Sequence, residues 1–253
     1  MSTAPLAVVT GASSGIGAEY TRALYRRGYR VLAVARRADR IAKLEADSGG
    51  LVVPEIRDMT ADGSASAVAE RAEELGGADL LVCNAGRGVH GRFVGSDRAD
   101  TLAMLDLNVM STVELTSYVV PRMVERGRGG VVVVASNLGF VPTPYMAAYS
   151  ASKAFLLSFA QSLATELRGT GVRAMALCPG PTVTEFSDVA GLGDKVEKTP
   201  GHTTSAEVVS GALRAWDAGR TVAVPGTVTR LMTTALDLAP RAVSRRIMER
   251  IFR

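Results

Sequence analysis

In the segment AAYSASKAF, residues 147–155, a tyrosine stands four residues before a lysine among small and apolar neighbours. On a helix, residues i and i+4 share a face, so the ammonium of Lys153 can lie beside the phenol of Tyr149. Alone, a phenol titrating near ~10 and an ammonium near ~10.4 are both inert at neutral pH. Together, the positive charge favours phenolate and is expected to lower the tyrosine pKa. A tyrosine tuned in this way can serve as acid or base toward a carbonyl or an alcohol. Thirteen residues earlier, the apolar run VVVVASNLGF carries Ser136. Its hydroxyl can bond the same substrate oxygen and hold the reacting carbon in place for hydride transfer. A Y-x-x-x-K spacing by itself is common, usually an aromatic packed on a helix with an exposed lysine, so the surrounding elements must decide.

Those elements alternate. Short runs rich in Val, Leu and Ala predict strands at Leu6–Val9, Arg30–Ala35, Leu51–Ile56, Asp79–Cys83, Val131–Ser136, Val172–Leu177 and Thr221–Val224. Each is nearly continuous in apolar residues, as expected of a parallel sheet covered on both faces. Between them the periodicity predicts helices at Gly15–Gly28, Asp62–Leu75, Thr101–Arg126, Ala147–Arg168 and Ala206–Ala218. The pattern implies right-handed βαβ units and an α/β fold, a Rossmann-type doubly wound parallel sheet of about seven strands flanked by helices. One catalytic domain is expected over residues 1–225, followed by a C-terminal amphipathic helical extension over 226–253.

The first strand runs into TGASSGIGAEY, residues 10–20. A strand, a glycine-rich turn and a helix start place backbone N–H groups and the positive helix end around an anion. Gly11, Gly15 and Gly17 follow G-x-x-x-G-x-G rather than the general G-x-G-x-x-G fingerprint. With Ser13, Ser14 and Ile16 they form a candidate phosphate cradle. At the end of the second strand an acidic residue would accept from the ribose 2′-hydroxyl of NAD, while arginine would accommodate the 2′-phosphate of NADP. Here Ala35 takes the acidic position and Arg36 and Arg37 follow, so NADP(H) is preferred, with NAD(H) as the other possibility. After the third strand, Asp58 and Met59 fit the adenine side. After the fourth, the small residues in Asn84, Ala85 and Gly86 permit close backbone approach on the nicotinamide side.

Taken together, TGASSGIG, DMT, NAG, LNVMS, Ser136 with YSASK, and CPGPTVTEF resemble the classical short-chain dehydrogenase/reductase family over roughly residues 5 to 225. The resemblance implies hydride transfer between NAD(P) and a carbonyl or alcohol. It makes Tyr149 the general acid in reduction and gives Ser136 the task of orienting and polarising the carbonyl. Lys153 would bind the nicotinamide ribose and lower the tyrosine pKa, and Asn108 would hold a water linking Lys153 to solvent. Pro179, Gly180 and Thr184 would line the nicotinamide side. Ala135 stands where many members carry a second serine. Pairing of the long helices at Thr101–Arg126 and Ala147–Arg168 would make a homodimer or homotetramer.

Substrate choice falls to segments outside these motifs. The apolar stretch GFVPTPYM, residues 139–146, supplies Phe140, and GRGVHGRFVG, residues 86–95, supplies His90. Residues 185–205 read as a lid, with His202 a loop residue. An apolar carbonyl substrate is the expectation. Cys83 and Cys178 have no metal-ligand spacing around them and read as reduced thiols in an intracellular core, with no metal site. The N-terminus lacks a signal-peptide pattern and no window could span a membrane, so a cytoplasmic protein is expected. The net charge of +4 lies wholly in the tail, where six arginines face Asp237 and Glu249, which argues against a nucleic-acid footprint over the protein. On a helical wheel the tail gathers Leu236, Val243, Ile247 and Ile251 on one side, with Met248 and Phe252 at the margin. Two readings fit: a helix docked on its own domain or a neighbouring subunit, which is preferred, or attachment to an anionic membrane surface. Two other functions share the fold: a non-catalytic NADP-binding sensor, which should have lost Tyr149 or Lys153, and an NAD-dependent alcohol dehydrogenase, against which Ala35 and Arg36 speak.

Overall fold

The computed structural model describes residues 4–186, 199 and 201–253. Its main sheet contains β1 (Leu6–Thr10), β2 (Arg30–Ala35), β3 (Val52–Ile56), β4 (Ala78–Cys83), β5 (Gly129–Val134), β6 (Val172–Leu177) and β9 (Val222–Ala223). The spatial order is β3-β2-β1-β4-β5-β6-β9 and every pairing is parallel. A second, two-stranded parallel pair joins β7 (Thr182–Val183) to β8 (Thr203–Thr204).

Both faces of the main sheet are covered, which is why its strands read as continuous apolar runs. In β1, Leu6 and Val8 enter one core with residues of α3 (Ser64–Glu74), α5 (Ser111–Glu125) and α6 (Ala147–Glu166). Ala7 and Val9 enter the other core with α1 (Gly15–Arg26), α2 (Ala38–Asp47) and α7 (Ser205–Asp217). The strand order reverses between β1 and β4, so the carboxyl ends of these strands open a crevice where ligands of such sheets bind.

Several element boundaries differ from the sequence expectation. Helix α2 was not expected: its segment is strongly polar, and only Ile41 and Leu44 are buried. The helix expected at Thr101–Arg126 begins earlier, at α4 (Arg98–Leu105), where Asp97 caps the amides of Ala99 and Asp100. It then widens into one π turn, Asp106–Met110, before α5. Strand β5 stops at Val134, so Ala135 and Ser136 lie just beyond the sheet edge. Of the lid expected at 185–205, residues 187–198 and 200 lie outside the described residues.

The tail departs most. It forms α8 (Thr227–Leu238) and α9 (Arg241–Phe252), separated at Ala239–Pro240, and packs on its own domain. The inward face is rotated from the one the wheel selects, of whose residues Leu236 is half-buried against the cleft. Ser244 and Met248 are buried and Phe252 is half-buried, while Val243, Ile247 and Ile251 point outward. Helix α8 shows the physical cause. It lies so close to Gly180 that a Cβ there would meet the Thr229 side chain at 2.5 Å. Only small side chains fit beneath it there, so Thr229 and Thr233 face in, while Val228, Leu231 and Leu238 are turned out.

Candidate active site

The glycines of the first βα turn act through backbone shape. Gly11 and Gly15 have φ of +68° and +51°, a region L side chains rarely adopt. A Cβ on Gly17 would lie 2.2 Å from the Gly11 carbonyl oxygen and 2.4 Å from the Asn84 amide nitrogen. The turn is also locked from the side by a residue the sequence reading overlooked. The Thr10 hydroxyl accepts from the backbone N–H groups of Asn84 and Ala85, both at 3.0 Å. The Asn84 side-chain amide donates in return to the Thr10 carbonyl at 2.9 Å. The open first turn of α1 therefore faces the crevice with its amides pre-aligned for an anion.

Beside the cradle, the two arginines after β2 are held by carboxylates. Arg36 pairs with Asp58 at 3.3 Å. Arg37 donates through Nε to the Ser13 hydroxyl at 3.2 Å and through Nη1 to Glu185 at 2.8 Å, and Arg40 pairs with the same Glu185. Asp58 is held below its usual carboxylate pKa first by the Thr60 amide, then by the Thr60 hydroxyl and Arg36. Glu185, unremarked in the sequence, is lowered by Arg37 and then Arg40. Glu185 thus bridges two of the guanidiniums beside the cradle.

At the other end of the crevice Ser136, Tyr149 and Lys153 come together. Tyr149 sits in the first turn of α6, nearly buried, and Lys153 one turn later is buried with it. The lysine Nζ lies 5.8 Å from the tyrosine ring centre and donates to the Val134 carbonyl at 2.8 Å. Ser136 follows β5 on a short 3₁₀ turn, Asn137–Gly139, and its hydroxyl accepts from the Leu138 amide at 3.1 Å. Gly139 lets that turn seat on α6, since a Cβ there would lie 2.7 Å from the Lys153 carbonyl oxygen.

The expected lowering of the Tyr149 pKa is not what the geometry gives. Burial pushes the phenol up to about 12, and the Ser136 hydroxyl offsets only part of this. Burial also pushes the Lys153 ammonium down to about 8. At neutral pH Tyr149 therefore holds its proton, the state a general acid needs. The lysine shift has a testable sign. Between pH 8 and 10.5 the unfolded chain binds the Lys153 proton more than the folded chain does, so stability from this group rises with pH. Lys153→Met removes that contribution. Across this window the unfolding free energy of the parent, measured by denaturant titration, is expected to gain on that of the variant by a few kcal/mol.

The remaining calls divide. A cleft of about 540 Å³ is lined by all the expected cofactor residues except Gly17, which lies behind the turn, and by His90. Phe140 does not line it. The 3₁₀ turn rotates Phe140 onto the core beneath the sheet, and Leu138 faces the cleft instead. Asn108 is fully buried and outside the cleft wall. Its Nδ2 donates to the Arg87 carbonyl at 3.0 Å and the Ser152 hydroxyl at 3.2 Å, and its Oδ1 accepts from the Arg87 amide at 2.9 Å. Residues outside the expected site set complete the apolar end: Met146, Phe186, Met232, Leu236, Met248 and Phe252. Phe186 stacks obliquely on Tyr149 with ring centres 5.5 Å apart. The Phe252 carbonyl lies 2.8 Å from Nε2 of His90, tying the chain end to the rim. In the tail, two pairs of residues four apart, Thr229 with Thr233 and Ser244 with Met248, mark the side that turns in.

Comparison with known proteins agrees with this fold. The model of the short chain dehydrogenase family matches residues 5–192. An uncharacterized oxidoreductase of Myxococcus xanthus is 42% identical over 191 residues, covering 72% of this chain and 73% of that one. An NADP-dependent 3-hydroxy acid dehydrogenase of Escherichia coli is 34% identical over 210 residues, covering 79% and 83%. A solved short-chain dehydrogenase from Sphingobium yanoikuyae, in complex with NADPH, superposes with a TM-score of 0.83 at 33% identity over 94% of each chain.

Proposed function

This chain belongs to the short-chain dehydrogenase family, and from that premise we propose that it is an NADPH-dependent reductase of a lipophilic ketone or aldehyde. One observation carries the reading: Ser136, Tyr149 and Lys153 meet at the floor of a cleft whose other end is a glycine cradle. The cradle fits a dinucleotide, because the room that a Cβ on Gly17 would fill is what lets the turn present its amides. Arg37 beside Ser13 fits the 2′-phosphate of NADP, and no acidic side chain stands at Ala35.

Reduction of a carbonyl needs a hydride at carbon and a proton at oxygen; bound NADPH would supply the hydride. Tyr149, protonated well above neutral pH, supplies the proton to the carbonyl oxygen. Ser136 hydrogen-bonds that oxygen and fixes the carbonyl against the phenol. Lys153 carries positive charge into a buried site, which favours the phenolate left behind. Asn108 holds the backbone of Arg87 beside this pair. The alkyl part of the substrate lies against Leu138, Met146, Phe186 and the tail residues Met248 and Phe252.

The test is NADPH oxidation over ketones and aldehydes of graded chain length. Turnover should rise with chain length, and NADPH should be preferred over NADH. Arg37→Ala should weaken NADPH by roughly ten- to hundredfold, the worth of a charged hydrogen bond, and leave NADH nearly unchanged. Equal loss for both cofactors would remove Arg37 from phosphate recognition.

A further inference from the structure

The two tail helices are amphipathic inside out. In α8 the outward residues Val228, Leu231, Met232 and Leu238 are 48%, 65%, 44% and 80% exposed, while Thr229 and Thr233 are buried at 3% and 5%. In α9 the outward residues Val243, Ile247 and Ile251 are 47%, 40% and 48% exposed, above a buried Ser244 at 1%. Water-facing helices normally show the reverse pattern, and contiguous exposed apolar surface marks a contact site. All six tail arginines are exposed, and none makes an ion pair among the described residues. The apolar row is also continuous with the cleft, because Met232 and Ile251 are exposed and line its wall.

Charge decides the occupant. A second copy meeting this face isologously would set a surface of net charge +4, six arginines less Asp237 and Glu249, against itself. A surface that is apolar in its interior and anionic at its boundary complements it, and that is a bilayer carrying acidic headgroups. We propose that α8 and α9 lie on an anionic lipid surface, with the apolar row in the acyl boundary and the arginines among the headgroups. The mouth of the cleft then opens toward the membrane, so an apolar substrate can enter without crossing water. None of the described helices is long and apolar enough to cross a membrane, so the contact is peripheral. Binding itself does not depend on the redox reading.

The experiment is co-sedimentation of the full chain with vesicles of phosphatidylcholine, with and without phosphatidylglycerol. Sedimentation is expected with the anionic vesicles only, and should weaken as salt rises. Two double variants at exposed positions, Leu231→Asp with Ile247→Asp and Arg246→Glu with Arg250→Glu, should each reduce partitioning by about tenfold or more. Their thermal midpoints should match the parent, because neither pair removes a buried side chain. Failure of the parent to sediment would overturn the proposal, as would undiminished sedimentation of both variants. So would a lipid-free dimer, seen by light scattering, that the aspartate pair dissociates, since the face would then join two copies.

Discussion

Tyr149→Phe is expected to cut kcat for carbonyl reduction by roughly 10²- to 10⁴-fold, the range general acid catalysis contributes. The substitution deletes one oxygen from a side chain that is already buried against Phe186, Met146 and Met104. Packing should therefore survive, and the thermal midpoint and NADPH affinity should stay close to the parent values. That combination is diagnostic. A tyrosine whose role were only to pack would leave kcat untouched when its ring is kept. The hydroxyl is neighboured by Ser136, and its raised pKa means that a proton, not a negative charge, is what the mutation removes at neutral pH. The reverse reaction, alcohol oxidation, needs the phenolate and should gain as pH rises, while reduction should not. Opposite pH trends in the two directions, measured on one carbonyl–alcohol pair, would tie both to this phenol.

The second large effect is expected at Gly17→Ala. A methyl group there points at the Gly11 carbonyl oxygen, 2.2 Å away, and at the Asn84 amide, 2.4 Å away. The first neighbour is backbone, and the second, a side-chain end, is held by hydrogen bonds. Asn84 is bonded to the carbonyls of Thr10 and Gly11, and Gly11 itself holds a left-handed conformation. Relief therefore requires the βα turn to open, which misaligns the amides that would meet the cofactor phosphates. NADPH affinity is expected to fall by about tenfold to a hundredfold, with a stability loss of roughly 1–3 kcal/mol. Isothermal titration and thermal unfolding on one preparation would measure both. Loss of stability with affinity intact would mean that the turn serves the fold alone.

The parts legible in the sequence are those set by short-range spacing. Gly11, Gly15 and Gly17 follow a strand and open a helix, and the structure places them at the crevice between β1 and β4. Tyr149 and Lys153 share a helix face because i and i+4 must, and Ser136 reaches them because its strand ends at the same sheet edge. What the spacing could not convey is the environment. The Tyr149 pKa rises because the phenol is buried by residues from distant segments, Phe186 and Met104 among them, and burial outweighs the serine beside it. Glu185 is far in sequence from Arg37 and Arg40, so nothing local announces that it engages them. Leu138 lies on the 3₁₀ turn and Phe140 just after it, and a modest rotation decides which faces the cleft. In the tail, the hydrophobic stripe and its threonine-lined neighbour are both possible inward faces. The choice falls to the close approach of α8 over Gly180, a contact between segments about fifty residues apart.

The central claim is that this chain moves a hydride to a carbonyl carbon while Tyr149 supplies the proton. It is tested most directly with NADPH deuterated at the transferable position, a lipophilic ketone, and mass analysis of the product. The expected result is an alcohol one mass unit heavier at carbon from the parent protein, formed about 10²- to 10⁴-fold more slowly by Tyr149→Phe despite unchanged NADPH binding. Label appearing at the same rate with the phenylalanine variant would contradict the role given to Tyr149. NADPH bound tightly, with no label in any carbonyl of the graded series, would contradict the reductase itself.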